Sequence, residues 1–223
     1  MASTDPLDTR AGAAVYSPWT LRVYDTWVLG ISNRYAWRCP TREVLLPFYR
    51  RHAGPRHLDV GVGTGFYPAH AGFDAAWELS LLDLNPNSLI AARDRSGRGN
   101  AAMHEADVMA PLSLPPHRYD SIALFYLLHC LPGTMGDKQR VFANLKPHLH
   151  PDGCLYGATI LGDGAGHNGF GRRLMAVYNG KGIFGNRGDD IEGLRAALVA
   201  HFDEVDIQQH GVVALFTARR PRA

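Results

Sequence analysis

Leu58-Asp59-Val60-Gly61-Val62-Gly63-Thr64-Gly65 is the stretch on which the fold turns. A short apolar run enters a loop with glycine at every second position, and Phe66-Tyr67 follows as the opening of a helix candidate. Glycine lets backbone approach a ligand where any side chain would collide, and a strand feeding such a loop ahead of a helix is how nucleotide-cradling sheets begin. The spacing is GxGxG, so the third glycine comes one residue too early for the dinucleotide pattern GxGxxG. A tight structural turn accounts for a glycine triplet equally well, and the neighbours must decide.

Working outward, apolar runs alternate with amphipathic or alanine-rich stretches from about Arg56 onward, the mark of βα units and a mostly parallel sheet. The runs are His57 to Val60, Glu78 to Leu84, Ala101 to Ala106, Tyr119 to Tyr126 and Gly153 to Ile160, then Glu204 to Gln208 and Val212 to Ala218. The last two flank Gly211 closely enough to pair as an antiparallel hairpin at the sheet edge. The expectation is an α/β, Rossmann-like, mostly parallel seven-stranded sheet of five βα repeats ending in that hairpin. Helix candidates are Tyr67 to Phe73, Asn87 to Ser96 behind Asn85-Pro86, Asp137 to Leu149 and Asp189 to Phe202.

The first 54 residues differ in character. Ser17-Pro18 opens a helix in which Leu21, Tyr24, Asp25, Val28 and Leu29 fall at helical spacing, and Thr41 is placed to cap a second over Arg42 to Arg51. Eight of the 22 aromatic residues lie between Tyr16 and Tyr49. Packing on the core explains such enrichment, and so does an aromatic lid over a ligand. Residues 1–54 are read as a helical lid belonging to the same domain as residues 55–223. A second unusual segment, 162–188, holds nine glycines around an apolar stretch from Phe170 to Tyr178 and reads as a long, mobile cap.

Composition narrows the classes. With 23 Lys plus Arg against 21 Asp plus Glu in 223 residues, the formal charge is only +2, which argues against an electrostatic grip on nucleic acid. A hydrophobic fraction of 46% is ordinary for a globular chain of this size. Cys39, Cys130 and Cys154 are isolated, offering neither a zinc pair nor a disulfide framework. Met1 to Val15 carries Asp5 and Asp8 with no apolar core, unlike a signal peptide, and Ser121 to Gly136 is too short and broken to span a bilayer. A cytoplasmic protein, monomer or homodimer, with no nucleic-acid or membrane partner is expected.

Two acids strengthen the nucleotide reading. Asp83 ends the second run, 18 residues beyond Gly65, where a carboxylate can accept from both hydroxyls of a ribose. Asp107 ends the third, where it can accept from an exocyclic amine while Leu84 and Val108 sandwich a base. A turn residue ahead of Pro111 is the plainer account of Asp107.

Together, LDVGVGTG (58–65), LLDLN (81–85), EADV (105–108), YDSIALFYLLHCLPG (119–133), NLKPHLHPDGCLYGATIL (144–161) and VVALFTARR (212–220) resemble the class I S-adenosylmethionine-dependent methyltransferases, in their small-molecule branch with a histidine shortly after the fourth strand. The resemblance covers about residues 55 to 218 and is specific for fold and cofactor, not for substrate. It implies that Asp59 and the loop Gly61, Gly63 and Gly65 face the methionine moiety of S-adenosyl-L-methionine, whose product is S-adenosyl-L-homocysteine. It implies further that Asp83 holds the ribose, that Leu84, Asp107 and Val108 hold adenine, and that Phe125 passes beneath the cofactor.

Methyl transfer from a sulfonium is an in-line displacement, so alignment and exclusion of water matter more than acid–base chemistry. His129, four residues beyond Phe125, is the candidate base if an O, S or N acceptor must lose a proton, and an ordinary hydrogen-bonded loop histidine is the alternative. His167 is a weaker candidate. Tyr16, Trp19, Trp27, His129 and Tyr178 are candidate substrate-binding residues, since aromatic faces suit an aromatic acceptor and attract a sulfonium. Cys130 reads as a buried thiol. Phe125-Tyr126-Leu127-Leu128 lacks the Asp/Asn-Pro-Pro-Tyr/Phe signature of nucleic-acid or glutamine amide methylation, and no DxD or ExxE pair accompanies a histidine, so no metal is expected. The expected acceptor is a small, apolar or aromatic molecule. Two alternatives are a non-catalytic adenosyl-binding protein on the same fold and a nicotinamide-dependent oxidoreductase.

Overall fold

The computed structural model describes residues 25–222, with side chains from Leu29 onward. Its frame is a seven-stranded sheet of β1 (Arg56–Val60), β2 (Glu78–Asp83), β3 (Ala102–Glu105), β4 (Tyr119–Phe125), β5 (Leu149–Ile160), β6 (Phe202–His210) and β7 (Val213–Pro221). The spatial order is β3-β2-β1-β4-β5-β7-β6. The pairs among β1 to β5 are parallel, and β7 lies antiparallel to both β5 and β6. The expected parallel sheet with its terminal hairpin is thus present, and β7 enters between β5 and the edge strand β6.

Alternation along the strands sorts side chains to two faces. On β1, Leu58 and Val60 join a core with Ile122, Leu124, Val141, Phe142 and Leu198, beneath helices α5 (Met135–Leu145) and α7 (Ile191–Val199). His57 and Asp59 point the other way, as their period-2 positions require. That face is covered by α1 (Asp25–Ala36), α2 (Leu46–His52), α3 (Phe66–His70), α4 (Pro86–Ser96) and α6 (Gly169–Gly180).

Local chemistry explains the helix ends. Asn85 caps α4 by accepting from the Asn87 N–H, with Pro86 at the first helical position. Thr134 and Asp137 form a reciprocal capping box on α5.

Three expectations change. Thr41 caps nothing: a wide turn over Thr41–Leu45 follows Pro40, and the Thr41 hydroxyl instead accepts from Asn33 Nδ2 at 2.8 Å and donates to the Leu29 carbonyl, tying α1 to the turn that leads into α2. The third βα repeat has no helix, because residues 106–118 carry Pro111, Pro115 and Pro116 and run as turns from β3 to β4. The glycine-rich segment 162–188 is no open loop: Asn168 caps the twelve-residue α6 by accepting from the Gly171 N–H. α6 is fastened to the end of α1, where Asn168 Nδ2 donates to the Tyr35 carbonyl at 2.7 Å.

The N-terminal aromatics divide. Trp37, Phe48 and Tyr49 pack into the sheet core, so the lid reading does not extend to them, and Tyr35 is exposed. Tyr16, Trp19 and Tyr24 lie outside the described residues, as does the side chain of Trp27. No helix among the described residues is long and apolar enough to cross a membrane.

Candidate active site

The site forms where strand order reverses, between β1 and β4, at the carboxyl edge of the sheet, the place where open α/β sheets bind ligands. A cleft there is lined by Val60, Gly61, Gly63, Leu82, Asp83, Leu84, Ala106, Asp107, Val108, Tyr126, Leu127, Cys130 and Leu131. A smaller cleft continues from it past the glycine loop, lined by Leu29, Asp59, Gly61, Val62, Gly63, Thr64, Phe66, Tyr67, Phe125 and Tyr126. Gly61, Gly63 and Tyr126 belong to both, so the two spaces share a wall.

The glycines serve different ends. Gly63, at φ +52°, has nothing within 4 Å of where a Cβ would stand, so it leaves the floor of the cleft open. Gly65, at φ +69°, starts α3, and a Cβ there would lie 2.4 Å from the Ala92 Cα of α4. Its absence lets the loop seat against the helix.

Asp83 closes β2 and accepts the backbone N–H of Asn85 at 2.9 Å and of Gly63 at 3.4 Å. Burial pushes its carboxyl up, and these backbone donors hold the shift back. Asp107 makes the turn that its plainer reading expects, its carboxylate accepting the Met109 N–H at 2.8 Å, and it also lines the cleft beside Leu84 and Val108. Asp59 is buried in the second cleft, and burial drives its carboxyl up to about 7, opposed by a hydrogen bond from Tyr49 and reinforced by the Asp83 charge.

Phe125 sits under this second cleft in an aromatic nest, its ring centroid 4.6 Å from Tyr67 and 5.0 Å from Tyr49. Tyr126, which sequence reasoning passed over, turns the chain out of β4 at φ +62°, a conformation rare for a side chain of this size. Its N–H still pairs with the Ala158 carbonyl, so the turn is fixed by β5. Phe66, Tyr67 and Leu29 are further wall residues that sequence reasoning did not single out.

The structure does not bring His129 to either cleft. The residue is 2% exposed and lies behind Tyr126 with ring centroids 5.3 Å apart and 4.5 Å from Phe184. The Ile160 N–H donates to its Nδ1 at 3.3 Å, so the neutral ring carries its proton on Nε2 and presents a donor. Burial, aided by the nearby Lys138 charge, holds its pKa down to about 3. The imidazole is thus neutral and held in place behind Tyr126. Tyr178 also stands back from both clefts, against Phe184 at 4.9 Å. His167, buried rather than solvated, directs Nε2 at the Leu161 and Gly162 carbonyls and fixes the start of the cap. Cys130 lines the first cleft with its thiol pushed up to about 12 by burial, which leaves it a neutral wall group.

Known proteins bear on this geometry. A methyltransferase-domain family model matches residues 58–155. The chain is 43% identical over 217 residues to a physcion biosynthesis cluster O-methyltransferase of Aspergillus chevalieri, covering 96% of this chain and 97% of that one. It is 39% identical over 221 residues to the N-methyltransferase vrtF of Penicillium aethiopicum, covering 98% and 92%. Among solved structures, the N-methyltransferase NodS of Bradyrhizobium japonicum WM9, in complex with S-adenosyl-L-homocysteine, shares the fold at a TM-score of 0.60 and 17% identity, over 92% of this chain and 98% of that one.

Proposed function

The chain belongs to the class I S-adenosylmethionine-dependent methyltransferases, and we propose from that premise that it methylates a small, apolar or aromatic molecule at an O, S or N nucleophile. The observation that carries the reading is the convergence of Gly63, Asp83, Leu84, Asp107 and Val108 on one cleft at the switch point of the sheet. These groups suit the cofactor by their chemistry: an open glycine floor, two carboxylates at strand ends and apolar surface between them.

When bound, S-adenosyl-L-methionine supplies a methyl carbon already activated by a sulfonium, and S-adenosyl-L-homocysteine is left. The tasks remaining to the protein are to hold, align and keep water out. In this reading Asp83 accepts from the ribose hydroxyls, Leu84 and Val108 flank adenine and Asp107 accepts from its amine. Asp59 and the loop at Gly61, Gly63 and Gly65 receive the methionine end. Leu29, Phe66, Tyr67, Phe125 and Tyr126 supply an apolar and aromatic wall, which sheds water and whose faces favour a positive sulfur. His129 acts as a neutral support behind Tyr126, not as a proton acceptor.

The remaining assignments belong to the same proposal. Residues 1–54 belong to one domain with residues 55–223, α1 being fastened to α6 of the 162–188 cap, and Tyr16, Trp19, Trp27 and Tyr178 are assigned to the acceptor side. The near-neutral charge and three unpaired cysteines support a cytoplasmic enzyme that acts on small molecules rather than nucleic acid. Titration calorimetry of the folded protein with S-adenosyl-L-homocysteine tests the core of this reading; saturable one-site binding is expected, and no heat with either form of the cofactor would sink it.

A further inference from the structure

Beneath Asp59 lies a chain of buried polar groups that methyl transfer does not itself require. Tyr49, His57 and Ser121 are each fully buried, and Asp59 is 3% exposed. The Gly54 N–H donates to Ser121 Oγ at 2.8 Å. Ser121 Oγ lies 2.6 Å from His57 Nδ1, and His57 Nε2 lies 2.8 Å from the Tyr49 hydroxyl. Tyr49 in turn hydrogen-bonds the Asp59 carboxylate. The sheet builds this alignment: His57 and Ser121 are register partners on β1 and β4, and Asp59 follows His57 by two residues on the same face.

Counting protons gives the chain a direction. The Gly54 N–H can only donate, so Ser121 must accept there and its own hydroxyl proton needs another acceptor. His57 Nδ1 is the acceptor at hand, which puts the ring proton on Nε2, pointing at the Tyr49 oxygen. Tyr49 then spends its single proton on Asp59. Run backwards, with Nδ1–H aimed at Ser121, the sequence of bonds leaves the Ser121 hydroxyl proton with no partner among the contacts described, an expensive condition in a dry interior.

We propose that Ser121, His57 and Tyr49 form a one-way hydrogen-bond relay that favours the ionised form of Asp59 and aims it at the ammonium end of the cofactor, which makes Tyr49 and His57 positioning residues for binding. The inference rests on the assignment of Asp59 to the methionine end. The need for a relay is physical. Burial and the neighbouring Asp83 on β2 both favour the protonated carboxyl, and a protonated Asp59 cannot neutralise an ammonium. Tyr67 of α3 lines the same cleft, and Tyr156 of β5 faces Asp59 as a phenol raised well above its ordinary range by burial. The Tyr49 hydroxyl is the donor that opposes protonation, and burial together with the Asp59 charge keeps it a phenol.

Two readouts test the relay: the carbon-13 titration of the Asp59 carboxyl in unliganded protein, and the pH dependence of the Kd for S-adenosyl-L-homocysteine. Tyr49→Phe removes one oxygen from an aromatic nest that otherwise stays filled. Its Asp59 midpoint should rise by about one pH unit from about 7, equivalent to about fivefold weaker binding at pH 7 that recovers toward pH 9. Ser121→Ala should shift both readouts the same way by less, and His57→Gln, which can still accept and donate, should fall nearer wild type. A folded Tyr49→Phe protein with lower Tm but unchanged midpoint and Kd would overturn the relay and leave Tyr49 a packing residue. If wild type fails to bind the ligand, the assignment of the cleft fails, and the carboxyl titration still decides whether Tyr49 sets the charge of Asp59.

Discussion

Gly63 and Gly65 stand two residues apart and should fail in different ways when given a methyl group. At Gly65 a Cβ would meet the Ala92 Cα at 2.4 Å from a left-handed backbone, so Gly65→Ala should lower stability by about 3 kcal/mol, read from urea unfolding. At Gly63 the added carbon meets no protein atom, so Gly63→Ala should cost only about 1 kcal/mol of stability yet obstruct the cofactor, read as a raised Kd with a nearly unchanged Tm. Equal effects of the two substitutions would remove the distinction between seat and floor. For Asp83→Ala, loss of two hydrogen bonds to a charged group at about 1.5–3 kcal/mol each predicts about 100-fold weaker binding or more in a folded protein; tenfold or less would mean that the ribose is held elsewhere. Asp83 and Asp107 were legible in the sequence because each ends an apolar run, and a strand end is a place. Tyr126 was not, since its positive φ depends on pairing with Ala158 on β5, and the state of His129 depends on the N–H of Ile160, 31 residues away.

At the scale of elements, one ion pair holds the cap side of the molecule. Lys138 on α5 is fully buried, and its Nζ donates to Asp189 Oδ2 at 2.5 Å and to the Gly185 carbonyl at 2.9 Å. The Gly185 N–H donates to the His129 carbonyl, so the same cation reaches the loop after β4. Burial pushes Lys138 down and Asp189 up, and each charge restrains the shift of the other. Lys138→Met should therefore cost about 3–5 kcal/mol by leaving a carboxylate buried and unpaired, and Lys138→Met with Asp189→Leu should regain much of that loss. A double variant no more stable than the single one would show that the pair does more than neutralise itself. None of this was legible, because the two residues lie 51 positions apart and neither carries a local signal. The helix inside the cap was half legible: the apolar stretch from Phe170 to Tyr178 was visible, but the nine glycines of the segment spoke for a loop, and Asn168 capping α6 outweighed them. The count of five βα repeats was one too high: no helix candidate was named between the third and fourth runs, and three prolines forbid one there.

Across the whole molecule, the sheet could be read because each strand is a contiguous apolar run and parallel order follows from alternation with helices. What a linear reading could not supply is which polar groups the two faces bury, and those set the response to acid. Burial holds His57 and His129 neutral, each down to about 3 from an ordinary 6.5. Between these values the unfolded chain binds a proton at each site that the native state refuses. Their contribution to stability is thus complete above 6.5 and is lost as pH falls toward 3. Asp59 works in reverse: held up to about 7 from 3.8, it favours the native state below 3.8, and that contribution is lost as pH rises through 7. Asp83 and Asp189, also raised, pull in the same sense as Asp59, so the total slope is a balance and a variant must isolate one member. His129→Gln keeps an acceptor for the Ile160 N–H and removes one titrating site. Relative to wild type, it should gain about 1.4 kcal/mol of stability for each pH unit of acidification between 6.5 and 3. Urea midpoints at several pH values in that window measure the difference, and parallel curves for the two proteins would mean that His129 accepts a proton without unfolding. In that case the imidazole would again be a candidate for proton transfer at the site.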